Sequence, residues 1–135
     1  MRKDIADRLV AALRSGEYKQ GQGRLCRAIA DGSRSFCCLG VLTDLAVKEG
    51  VLPDGKRVEL DLYALRYGKC AASAYLPSEV QEWSGMQSIA GNLPKAVHVW
   101  RDDSGEMLTS LDGFNDAGYT FDQIADIIEK NWEAL

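Results

Sequence analysis

The sequence predicts an α+β fold: a single domain over residues 1–135 in which a small antiparallel sheet is packed with about four helices. Two observations point to it. Apolar residues recur at helical spacing near both ends of the chain and again in the first half, and between these stretches lie short alternating runs bounded by Pro, Gly and Asp. No repeat, low-complexity tract or linker interrupts the pattern. A chain of 135 residues, 46% hydrophobic and 27% charged, has the size of one ordinary domain and enough core to fold without a metal or a disulfide.

Taken in order, Ile5, Leu9, Ala12 and Leu13 form one stripe of a helix from Asp4 to Ser15, stopped by Gly16. Glu17 to Arg24 is a polar loop with two glycines, followed by a short strand from Leu25 to Ile29 and a turn at Asp31-Gly32. Phe36 to Lys48 is the second helix, with Cys38, Val41, Leu42 and Leu45 inward and Gly50 as its end. Val58, Leu60 and Leu62 alternate with charged residues as a strand, and Ala71 to Leu76 is its expected antiparallel partner. Pro77 opens a third helix that runs through Trp83. Ala96 to Trp100 reads as a strand, residues 102–105 as a turn, and Met107 to Leu111 as a return strand or a helical turn. After a tight turn at Asn115-Asp116-Ala117-Gly118, the last helix is marked by Thr120 and Gln123 at capping-box spacing and by Ile124, Ile127, Ile128 and Trp132.

The net charge of −4 is unevenly spread. Residues 1–34 hold eight Lys or Arg against four acids, whereas residues 101–135 hold two against nine. So acidic a final segment argues against general nucleic-acid binding, which draws its affinity from basic contacts to phosphate, but it leaves room for a local basic site near the start. There is no signal-peptide pattern and no apolar run of membrane-spanning length, so the expectation is a cytoplasmic protein without membrane contact. Four cysteines, two of them adjacent, read as reduced thiols.

Three constellations bear on chemistry. Cys37 or Cys38 at a helix start, with His98 on a strand and Asp102 or Asp103 nearby, has the residue types of a cysteine hydrolase; the plainer reading makes the thiols core residues and His98 one polar strand position. The cysteine spacing lacks the close pairs of a zinc site, and no phosphate-binding loop motif is present, so no metal and no cofactor is expected. The loop Tyr18, Lys19, Gln20, Gly21 through Arg24, with Arg27 two strand positions further on, combines backbone N–H groups freed by glycine, cationic side chains and an aromatic ring, as a site for a small anion requires. Trp100, at a strand end beside charged residues, is a platform for a planar ligand or a packing residue.

Four stretches, in order along nearly the whole chain, carry a resemblance: Ala12 to Gly21, Phe36-Cys37-Cys38-Leu39-Gly40-Val41-Leu42, Leu76-Pro77 through Val80 with Trp83, and Phe114-Asn115-Asp116-Ala117-Gly118-Tyr119-Thr120-Phe121 with Ile124 to Asp126. Together they resemble a set of small uncharacterised phage and prophage proteins. Members often carry a third cysteine where this chain has Thr43. The resemblance implies an accessory protein that interferes with host defence. Two readings follow that are not enzymatic. One is a non-catalytic binder that sequesters a small anionic, nucleotide-like ligand through Tyr18, Lys19, Gln20, Gly21, Arg24, Arg27 and Trp100. The other is an inhibitor that presents the acidic segment from Asp102 to Glu129 to a host protein. Self-association is compatible with a domain of this size, and no residue pattern sets its symmetry.

Overall fold

A computed structural model describes residues 1–52, 75–100 and 105–135. Its elements are α1 (Lys3–Arg14), β1 (Lys19–Gln20), β2 (Cys26–Ala28), β3 (Arg34–Phe36), α2 (Cys38–Lys48), α3 (Ser78–Ser84), β4 (Val99–Trp100), β5 (Met107–Leu108), α4 (Leu111–Asp116) and α5 (Phe121–Asn131), with short 3₁₀ turns at Lys95–Val97 and Trp132–Ala134. The fold is α+β.

Helix α2 is the centre. Cys38 through Asp44 and Ala46 are all buried, and α1, α3, α4 and β3 pack around it. A helix buried on every side needs every polar group satisfied. Thr43 Oγ1 accordingly donates to the Leu39 carbonyl at 2.8 Å, and Asp44 accepts from the Tyr18 hydroxyl at 2.7 Å. Gly40 lets the helix touch β2's approach: a Cβ there would stand 1.7 Å from the Leu25 carbonyl oxygen.

The two amphipathic helices pack mainly against each other, and α1 also packs against α2. α1 buries Ile5, Ala6, Leu9, Val10 and Leu13, and α5 buries Phe121, Ile124, Ala125 and Ile128. The capping box at Thr120 and Gln123 is formed in both directions. The turn from α4 into α5 closes with Gly118 N–H to Asn115 O and Tyr119 N–H to Phe114 O, both at 3.1 Å. Gly118 has φ +92°, which explains the glycine.

The sheets and the segments beside them differ from the expectation at several points. The first sheet has order β1-β3-β2, with β1 parallel and β2 antiparallel to β3, so it is mixed. Phe36, expected to open a helix, instead ends β3 between Gln20 and Cys26, and the helix begins only after Cys37 as its cap. The segment expected as a loop contains β1. The second sheet is the antiparallel pair β4–β5; the expected strand from Ala96 is a 3₁₀ turn until His98, and a fifth helix, α4, follows β5. The strand expected at Val58 to Leu62, most of its partner and most of the turn at 102–105 lie outside the described residues.

Candidate functional site

The mixed sheet has one face inward and one outward, and its register decides which side chains share each face. Gln20, Phe36 and Cys26 form one row across the three strands and point into the core. The preceding row is Lys19, Ser35 and Arg27, and successive side chains alternate faces, so these three point outward together. Lys19 and Arg27 are therefore held on either side of Ser35, two strand spacings apart, or about 10 Å between backbones.

Both side chains are exposed, as is Arg24 in the loop before β2. Lys19 Nζ lies 3.7 Å from the Asp31 carboxylate, its one acidic neighbour among the described residues. Asp31 is itself held below the usual carboxylate range by hydrogen bonds from the Ser33 hydroxyl and backbone N–H, so it remains charged. Among the described residues no acid lies within ion-pair distance of Arg24 or Arg27. The arrangement is an open cationic surface with a hydroxyl at its centre.

The backbone of the loop is arranged for this sheet. Gly21 N–H continues the β1–β3 ladder by donating to Phe36 O at 2.8 Å, and its α-carbon lies so close to Ser35 that a Cβ would come within 2.6 Å of the hydroxyl oxygen. Gly23, at φ +71°, donates its N–H to Asp116 Oδ1 at 2.8 Å, and Arg27 Nη2 lies 3.4 Å from where its Cβ would be. The glycines thus set the loop down on the sheet. Their N–H groups are committed to protein acceptors.

Two of the residues singled out in the sequence for binding face the other way. Tyr18 stacks edge-on against Phe36 with ring centroids 5.2 Å apart, donates its hydroxyl to Asp44 and accepts from Lys48 Nζ at 2.8 Å. Burial raises its pKa, and the same hydrogen bonds, with Asp44, raise that of Lys48. Gln20 is part of a network that crosses the fold. Its Nε2 donates to Asn115 Oδ1 at 3.0 Å and to Tyr119 O at 2.7 Å, and its Oε1 accepts from Phe121 N–H at 3.0 Å. Asn115, fully buried, also accepts from Cys38 N–H at 3.3 Å and donates to Gly21 O at 2.8 Å. Tyr18 and Gln20 are fastenings of β1, and by pinning its inner face they hold Lys19 outward. Trp100 stands apart on the second sheet, 62% exposed. Ser35 was not singled out in the sequence, because only the pairing of β3 with both neighbours brings it between two cations.

The cysteine pair offers no nucleophile. Cys37 caps α2, and its Sγ accepts from Gly40 N–H at 3.3 Å, which favours a thiolate. Burial outweighs that donor and pushes the thiol up to about 12. Cys38, with no solvent exposure, is raised well above its ordinary value, again chiefly by burial, and its thiol donates to Leu111 O at 3.4 Å. His98 shares a hydrogen at Nε2 with Leu93 O at 2.8 Å; the acids expected to orient it, Asp102 and Asp103, are outside the described residues. A hydrolase needs a thiolate at neutral pH, and this environment stabilises the thiol.

Of the acidic segment, Asp126 and Glu129 are bound to Arg14 of α1 at 2.5 and 2.9 Å, and Asp112 and Asp116 line a cleft beside α4. These acids are thus divided between α5, where they pair with Arg14, and α4, where they line the cleft. Among the described residues no group of three or more His, Cys, Asp or Glu side chains is placed to hold a metal ion, and no helix is long and apolar enough to cross a membrane.

No curated protein and no solved structure shows a significant match to this chain. A family model does match it over residues 1–132, nearly its full length, and the chain therefore belongs to the family described as a domain of unknown function, DUF8296.

Proposed function

We propose that this is a phage-encoded accessory protein that binds, without transforming, a small anionic ligand of nucleotide type in the host cytoplasm, using the outer face of the mixed sheet. The observation that carries this reading is the register that aims Lys19 and Arg27 outward on either side of Ser35. Two cations on a rigid sheet, with a hydroxyl between them, suit a phosphate or pyrophosphate group: the cations supply charge-assisted hydrogen bonds and the sheet limits the ordering cost. Arg24 extends the positive surface. The ligand set is narrower than the loop as a whole, since Tyr18 and Gln20 hold the strand and the glycines hold the loop. The reading is binding without turnover, that is, sequestration. Interference with a nucleotide signal of host immunity is the role that fits such a binder.

The test is calorimetry and thermal shift against pyrophosphate and a panel of linear and cyclic nucleotides. The expected result is saturable binding that falls about tenfold or more in Lys19→Ala/Arg27→Ala. Asp31→Asn, which removes the acid facing Lys19, is expected to tighten binding by about twofold to fivefold, because one nearby repulsive charge is lost. An unresponsive wild type, or a double variant that binds as well as wild type, would sink the reading.

A further inference from the structure

A second surface lies where β5 leads into α4, touching the cationic loop through Asp116, which accepts from Gly23 N–H. Trp100 and Met107 are cross-strand partners in the β4–β5 ribbon, so their side chains leave the same face. That face is uncovered: Trp100 is 62% exposed and Met107 39%. An exposed tryptophan beside a methionine, on a strand pair too short to be stable alone, is a costly arrangement for a surface that nothing covers. Met107 also lines the adjoining cleft, which has a volume of about 280 Å³ and includes Glu106, Ser110, Asp112 and Asp116 in its walls. This is below the range of about 300–1,000 Å³ typical for a drug-sized molecule and suits one long side chain.

The described residues of the cleft walls include the carboxylates of Asp112 and Asp116 and no Lys or Arg. Asp112 accepts from the Ser110 hydroxyl and from Gly113 N–H, and Asp116 accepts from Gly23 N–H and Asn115 Nδ2. These are neutral donors: they fix the carboxylates in position and leave their charge unbalanced. Among the described residues, no Lys or Arg lies within ion-pair distance of Asp112 or Asp116.

We infer that the Trp100–Met107 face and the adjoining cleft form one docking surface for a basic, partly apolar peptide segment of another protein. An apolar side chain of the segment covers Trp100 and Met107, and a neighbouring Lys or Arg enters the cleft toward Asp112 and Asp116. Tryptophan and a desolvated charge pair are the usual anchors of such contacts, and the acidic walls discriminate against an acidic or nucleic-acid partner.

The experiment is fluorescence polarisation of the full chain with a labelled peptide of alternating arginine and leucine, beside the same peptide with citrulline for arginine. The expected result is saturable binding of the arginine peptide only. Binding weakens about tenfold or more in Trp100→Ala and in Asp112→Asn/Asp116→Asn, and is unchanged in Glu79→Gln/Glu82→Gln, which removes the same charge from exposed positions of α3. Equal binding of the citrulline peptide, equal weakening by the α3 pair, or an unchanged Trp100→Ala overturns the inference. Trp100 is a surface residue, so that variant stays folded and decisive even if the aspartate pair loosens α4. A concentration-dependent dimer in sedimentation velocity, abolished by Trp100→Ala, also overturns it, since a second copy is then the occupant.

Discussion

Gln20 and Asn115, 95 positions apart in the chain, are joined by a hydrogen bond of 3.0 Å from the Gln20 side-chain amide to Asn115 Oδ1. Through that pair three distant segments meet: the Tyr18-to-Gly21 loop, the start of the cysteine helix, and the corner between α4 and α5. The residues at this junction serve folding: they close one largely buried polar network that sets β1 in place.

Buried amides whose partners are all fixed lose much when one is removed, because each stranded donor or acceptor costs about 1–3 kcal/mol. Gln20→Ala and Asn115→Ala are each expected to destabilise the protein by about 2 kcal/mol or more. The double variant should lose less than the sum, by about 1 kcal/mol, because the two share partners. Urea unfolding of the four proteins measures this cycle. Strict additivity would show that the network is not cooperative.

Gly40 meets a harder limit. A methyl group there would overlap the Leu25 carbonyl oxygen, a backbone atom that no rotamer change can move. Gly40→Ala is expected to cost about 3 kcal/mol or to prevent folding, although alanine is the better helix former. A variant as stable as wild type in thermal unfolding would contradict the close approach of α2 to that backbone.

The cysteine pair yields a kinetic and a pH-dependent expectation. A thiol reagent at pH 7 should leave Cys37 and Cys38 unmodified in the native protein and label both after unfolding. The unfolded thiol of Cys37 ionises near its ordinary value of 9.0, while the folded one holds its proton to about 12. Stability should therefore fall as pH rises between these values, by about 1.4 kcal/mol per pH unit for each such thiol. Cys37→Ala should flatten this alkaline limb in denaturant titrations.

On the acid side the sign reverses. Arg14 holds the Glu129 carboxyl below its ordinary value of 4.5, chiefly through a side-chain hydrogen bond. The pairing contributes in full above that pH and is lost as pH falls through Glu129's native value. Arg14→Gln should accordingly be less stable than wild type at pH 7, with the difference closing in acid. Both side chains are exposed, so the effect is small and shrinks with added salt. Chemical denaturation at a series of pH values reads it.

The helices at the two ends were legible because their apolar stripes are long and, for α5, because Thr120 and Gln123 announce the cap. The strands of the mixed sheet were not. Lys19–Gln20 and Arg34–Phe36 are two and three residues long, too short for any period, and they form through non-local pairing: β3 with β2 in a hairpin, and β1 alongside β3 in parallel. Phe36 continues an apolar run into α2, so nothing local separates strand from helix there. The same non-local register hid Ser35 from the candidate site and made Tyr18 and Gln20 look available: a polar residue in a loop carries no mark of which way its side chain points. Lys19, Arg24 and Arg27 were visible as charge, and the pairing supplied their geometry.

Whether the outer row of the mixed sheet receives a small anion can be read by a heteronuclear NMR titration of the protein with pyrophosphate and a cyclic nucleotide. Saturable shift changes are expected at Lys19, Arg24, Arg27 and Ser35, with the inward amides of Gln20 and Asn115 nearly still. Shifts centred elsewhere, or none at millimolar ligand, would rule out an anion site on this face.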